Sequence, residues 1–245
     1  MKDRKAPVPA CERRDVEPGR SDKAAVDHFV RQARALATAR SGGSGRLVLA
    51  IDATMSRQPT WDLACELQAD MFDAAAAAGN LAVQLVYFRG LGECRASRFV
   101  GDAAALKSLM VRIDCRAGHT QVGKVLAHAL KENEQGRIGA LVYIGDAMEE
   151  EIDHLAAKAG ELGIRGVPAF IFQEGRDPVA ERAFREIARL TKGAWFRFDR
   201  SSADTLRRLL SAVAIFATGG LKALEARGTA EDRLMIAHLK GRQGG

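Results

Sequence analysis

From Arg46 onward the chain alternates between two kinds of hydrophobic pattern. Short, nearly continuous apolar runs recur at RLVLAID (46–52), LAVQLVYF (81–88), GALVYIGD (139–146), VPAFIFQE (167–174) and AWFRFD (194–199), and the more polar CRASRFV (94–100) looks like a further strand after the second. Runs of this length, bounded by turn residues, predict strands. Between them apolar positions recur about one helical turn apart, which predicts helices over 61–78, 102–112, 121–131, 149–162, 179–191 and 203–217. Trp61 and Phe72 fall on the core side of the first of these helices. Strands with no polar face belong in a parallel sheet covered by helices on both sides. The link between the second and third strands holds Gly90 and Gly92 and is too short for a crossover helix. That pair is therefore expected to be antiparallel, with the third strand at an edge. The expected fold is α/β: a doubly wound, mostly parallel six-stranded sheet with one antiparallel edge strand and helices on both faces.

The flanks read differently. Residues 1–21 carry Pro7, Pro9 and Pro18 among charges, with no apolar period, and predict a mobile tail. A helix is expected over 22–40, capped by Ser21 or Asp22, and 41–45 (SGGSG) is expected to be a hinge. The main domain spans 46–218. Gly219 and Gly220 should end its last helix, leaving 219–245 as an extension. Within that extension Thr229 and Asp232 approximate a capping box, and Leu234, Ile236 and Leu239 form an apolar stripe. A helix of about 11 residues is too short to persist alone in water, so it should rest on the domain or on a partner.

Candidate chemistry gathers at the strand ends. In an open parallel sheet, ligands bind beyond the carboxyl ends of the strands, where the strand order reverses. The first strand ends in Asp52-Ala-Thr54-Met-Ser56, a later loop in Gly118-His119-Thr120, and the strand at 139–146 in Gly145-Asp146. Two carboxylates and three hydroxyls are hard oxygen donors, suited to Mg²⁺, with Mn²⁺ or Ca²⁺ as alternatives. Five such ligands leave a coordination position open for a carboxylate from elsewhere.

Asp52-x-Thr54-x-Ser56, then Thr120, then Asp146 resembles the metal-ion-dependent adhesion site (MIDAS) of von Willebrand factor type A (VWA) domains. The resemblance covers about 46–217 and implies a Rossmann-like fold. It implies Ser56, Thr54 and Thr120 as direct metal ligands, with Asp52 and Asp146 completing the shell directly or through water. It also implies capture of an acidic residue of a protein partner through the ion, in assembly or scaffolding. His119 and Ala147 stand where the family often has glycine. His119 is expected to be an exposed loop side chain. Glu149, Glu150 and Glu151 are expected in the first turn of the following helix, where acids complement the helix dipole. Gly118 and Gly123 are expected to serve loop geometry and close packing.

Composition narrows the alternatives. The 245 residues are 47% hydrophobic and 28% charged, ample for a packed core. The longest apolar runs fall well short of the roughly 20 residues of a spanning helix, and no apolar segment follows the basic N-terminus. A cytoplasmic protein without a membrane role is expected. Cys11, Cys65, Cys94 and Cys115 form no CxxC pair and read as free thiols. The net charge is +6, but the excess of Lys and Arg lies in the flanks, and aromatics make up only 6%. Nucleic-acid binding is accordingly disfavoured. The alternative function is a Mg²⁺-dependent phosphatase or phosphotransferase. Haloacid-dehalogenase-like phosphatases show Asp-x-Asp where the chain has Asp52-x-Thr54, so a resemblance to them lacks the general acid, and no phosphate-binding glycine loop with Lys-Ser/Thr is present. No catalytic residue is expected.

Overall fold

The computed structural model describes residues 45–55, 58–76, 78–198 and 203–240. The expected tail over 1–21, the helix over 22–40, all but the last residue of the hinge, and Ser56 lie outside the described residues.

Six strands form one sheet: β1 (Gly45–Asp52), β2 (Leu81–Arg89), β3 (Glu93–Val100), β4 (Ala140–Gly145), β5 (Ala169–Glu174) and β6 (Ala194–Phe198). Their order is β3-β2-β1-β4-β5-β6. Every pair is parallel except β2–β3, which is antiparallel with an irregularity between Gln84 and Val86. The helices are α1 (Gln58–Ala76), α2 (Ala103–Met110), α3 (Val122–Gln135), α4 (Ile152–Ile164), α5 (Pro178–Leu190), α6 (Ala203–Arg227) and α7 (Ala230–Lys240). The predicted sheet, with its antiparallel edge strand and two helical layers, is the one observed.

Alternation along the central strands divides the core in two. Leu47, Leu49 and Ile51 of β1 join Val142 and Ile144 of β4 under α1 and α6, around Trp61, Leu67, Met71, Leu210 and Val213. Val48, Ala50, Leu141 and Tyr143 face α3, α4 and α5, around Val125, Leu155 and Phe184. Both layers are apolar and side chains of β1 alternate between them, so a one-residue slip of β1 would exchange its contents. Gly45 is part of β1 and not of a hinge. It pairs with Leu81, and a Cβ there would meet the backbone of Thr218 at 2.6 Å, so only glycine lets α6 lie this close.

The C-terminal part follows expectation at the double glycine and departs from it in two further respects. Gly220, with φ 67° and ψ −163°, ends the helix that begins at Ala203, as the double glycine led one to expect, and a second helical segment runs on across the kink to Arg227. The segment Leu206–Arg227 is long and apolar enough, by length and composition, to cross a membrane; half of that apolar stretch is buried within the domain. Leu206, Leu209, Leu210, Val213 and Ile215 belong to the core shared with the sheet, which accounts for the apolar composition. In α7 the buried side chains are Asp232, Met235 and Leu239, while Leu234 is exposed. Of the expected stripe, Leu239 is buried and Ile236 packs partly buried against the core, while Leu234 faces out and Met235 takes the inward place. Its start is the expected reciprocal cap: Thr229 N–H donates to Asp232 and Asp232 N–H donates to the Thr229 hydroxyl.

Candidate metal centre

The strand order makes β1 and β4 neighbours while the chain runs from β1 to β2 on one side and from β4 to β5 on the other. This is a switch point, where the connections diverge and leave a crevice. Ile51 pairs with Ile144, so Asp52 stands one residue and Asp146 two residues beyond the last paired rung. Two strands formed for burial thus deliver two carboxylates to the same edge.

A cleft of about 230 Å³ opens there, lined by Asp52, Thr54, Met55, Gly118, Thr120, Asp146 and Glu149 among others. Four of the five predicted ligands therefore share one cleft; the fifth, Ser56, lies outside the described residues. Asp52 is completely buried, Thr54 and Thr120 nearly so, and Asp146 is half-buried. Asp52 accordingly belongs to the floor of the cleft and not to a surface loop. Its Oδ1 accepts the Thr54 N–H at 2.8 Å, a local turn that aims the 52–54 backbone. Arg116 N–H donates to Ala53 O and His119 N–H to Gly90 O, so the Thr120 loop is tied both to β1 and to the β2–β3 turn.

The acidic run after β4 does something the sequence did not suggest. Helix α4 begins only at Ile152, which leaves Glu149 and Glu150 in the loop ahead of it. Glu149 lines the cleft and exchanges two hydrogen bonds with Thr120: its N–H donates to Thr120 Oγ1 at 3.1 Å, and its Oε2 accepts the Thr120 N–H at 3.2 Å. The same Oε2 lies 3.0 Å from Nδ1 of His119, whose ring is otherwise exposed as expected. Glu150 accepts the N–H groups of Val122 and, at 3.0 Å, Gly123. These are first-turn donors of α3, whose own N-cap residue Gln121 makes no side-chain cap bond. The pattern visible in advance was only the absence of a good capping residue before Val122.

Gly118 and Gly123 serve close packing, as expected. A Cβ on Gly118 would overlap the backbone of Gly90, and one on Gly123 would lie 2.8 Å from Glu150 Oε2. Elsewhere, burial pushes the Cys65 thiol up to about 11, with Asp62 adding to the effect, and burial also raises Cys94. Both shifts disfavour the thiolate, the form that acts as nucleophile or metal ligand.

Among the described residues no three His, Cys, Asp or Glu side chains gather to hold a metal by themselves. An ion in the cleft would depend on hydroxyls as well as carboxylates. The donors present are all oxygens, and they fit a hard divalent cation far better than a soft one.

No protein-family model and no curated protein matches this sequence. Solved structures do share the fold. An aerotolerance-related membrane protein from Bacteroides fragilis superposes with a TM-score of 0.56 at 19% identity, over 70% of this chain and 98% of that one. A von Willebrand factor type A protein from Catenulispora acidiphila gives 0.54 at 19% identity, over 70% of this chain and 43% of the other. The VWA domain of SpRpn10 gives 0.51 at 14% identity, over 70% and 94%. The fold is that of VWA domains.

Proposed function

We propose that this chain is a metal-dependent protein-binding module. Asp52, Thr54, Ser56, Thr120 and Asp146 would hold one divalent cation, Mg²⁺ being the best match to a small set of hard oxygen ligands. The ion would supply a Lewis-acidic position that a carboxylate of the partner can occupy. The observation that carries this reading is the convergence of Asp52, Thr54, Thr120 and Asp146 on one cleft at the switch point of the sheet. Asp52 and Asp146 balance the charge of a dication, and Thr54 and Thr120 offer neutral oxygens that leave the filled site able to accept a further anion. The exposed Met55 on the rim adds apolar contact surface for a protein partner. Binding rather than catalysis is the reading that this donor set favours, and the VWA fold agrees with it.

The experiment is calorimetric titration of the full-length protein with Mn²⁺ and Mg²⁺, paired with capture from native lysate with and without EDTA. Saturable 1:1 uptake that disappears in Asp52→Asn, together with a partner lost on chelation, is expected. A protein that takes up neither ion rules the reading out.

A further inference from the structure

The loop that follows β4 carries one candidate ligand and two residues that grip another ligand's loop. Asp146 ends the strand; three and four residues later Glu149 and Glu150 reach across to the segment 120–123. Glu149 brackets Thr120 through two backbone-anchored bonds, and Glu150 takes two N–H groups of the first turn of α3. The two loops that supply Asp146 and Thr120 are thus one mechanical unit. Glu150 is the far end of this grip, since Glu149 lines the cleft and Glu150 does not.

The geometry points to Glu150 as a positioning residue for the cation. This inference rests on the metal-binding reading above and deepens it. By fixing Val122 and Gly123, Glu150 sets where α3 begins, and with it the peptide of Thr120 two residues upstream. The Thr120 hydroxyl is already engaged by Glu149 N–H, and so presents its remaining lone pair from a preset direction. A site held in this way binds an ion without first ordering the loop, which is the general advantage of preorganisation. Glu150 acts through the backbone and touches no ion.

Gly123 makes the idea separable from ordinary stability. A Cβ at position 123 would press on Glu150 Oε2, the free end of a flexible side chain, and would otherwise touch only Leu155 Cδ2 at 3.4 Å. Gly123→Ala should therefore push the carboxylate aside without removing a charge. In a helix the same change normally stabilises, because alanine is the better helix former. Lost ion affinity in a protein that is no less stable is a result that a merely structural cap does not give.

The test is Mn²⁺ titration calorimetry of the full-length protein and three variants, each with a thermal melt in EDTA. Glu150→Gln and Gly123→Ala are expected to weaken Mn²⁺ binding about tenfold or more. Glu151→Gln removes the same charge from a side chain that is 81% exposed, and should leave affinity within about twofold. If Glu150→Gln and Gly123→Ala also stay within twofold, or if Glu151→Gln weakens binding as much as Glu150→Gln does, positioning is overturned. Should Glu150→Gln fail to fold, Gly123→Ala decides alone. No Mn²⁺ uptake by the unaltered protein overturns the metal reading, and this inference with it; uptake with insensitive variants overturns the inference alone.

Discussion

Gly118 lies against the backbone of Gly90, so close that a Cβ on Gly118 would fall 2.2 Å from the Gly90 nitrogen. Through this contact and the His119 N–H to Gly90 O bond, the β2–β3 turn buttresses the wall of the cleft. An edge hairpin otherwise remote from β4 thereby helps to place Thr120.

Gly118→Ala should be destabilising. Overpacking a tight backbone contact costs about 1–3 kcal/mol, and in a domain of this size each kcal/mol lowers Tm by about 2–4 °C. Gly101, with open space around it, is the control: Gly101→Ala should leave Tm nearly unchanged. Equal melting of the two variants by differential scanning calorimetry would show that the 90–118 contact yields freely.

Asp52→Asn tests the floor of the cleft by linkage. An ion bound only by the folded state stabilises it by about 2.7 kcal/mol at a concentration one hundred times its Kd. Mg²⁺ should raise Tm of the unaltered protein, and this rise should vanish in Asp52→Asn. A Mg²⁺-induced rise that persists in Asp52→Asn would remove Asp52 from the site.

The Arg227–Asp232 pair predicts an acid-sensitive C-terminus. Burial opposes ionisation of Asp232, but hydrogen bonds from Arg227 and from both donors of Thr229 outweigh it and hold the carboxyl below its usual range. A depressed folded-state pKa contributes stability above the unfolded value of about 3.9, and that stability is lost as pH falls through the folded value. Urea melts of Asp232→Asn should show lower stability at pH 7 and a flatter decline below about pH 4. Parallel pH profiles for the two proteins would refute the assignment.

His128 predicts a second, milder slope. Burial against Gln84 lowers its pKa, with Glu132 opposing and Lys131 reinforcing the shift. A histidine held neutral in the folded state leaves stability intact above its unfolded pKa, about 6.5. Stability then declines as pH falls below that value toward the folded one, because the unfolded chain takes up the proton first. His128→Gln should flatten the profile just below pH 6.5, and an unchanged slope there would assign it to other groups.

Met235→Ala should loosen α7. Deleting a fully buried side chain of this size typically costs about 2–5 kcal/mol, and an 11-residue helix has little stability of its own. Hydrogen exchange should speed up in 231–239 far more than in β1. Uniform acceleration across the domain would mean instead that α7 unfolds only with the core.

The strands were legible because burial on both faces leaves no room for polar residues, so VLAI (48–51) and LVYI (141–144) stand out without any partner in view. The antiparallel placement of β3 was legible from covalent reach alone, since the link through Gly90 and Gly92 is too short for a crossover. Asp52, Thr54, Thr120 and Asp146 were legible as candidates because each ends a strand or precedes a helix. What the chain does not declare locally is which strand ends are neighbours. Only the order β3-β2-β1-β4-β5-β6 sets Asp52 beside Asp146, because hydrogen-bonded pairing between strands separated by some 90 residues is chosen by packing. The role of Glu150 was hidden for the same reason. A local rule assigns an acid to the helix that follows it, whereas the unsatisfied N–H groups it serves lie 27 and 28 residues upstream. In α7 the periodicity revealed the helix and two inward positions, Ile236 and Leu239, but the surface beneath decided that Met235 is buried and Leu234 exposed. Local pattern determines which elements exist and what chemistry they carry; the tertiary fold alone determines which of those chemistries meet, since contacts across the sheet leave no period in the sequence.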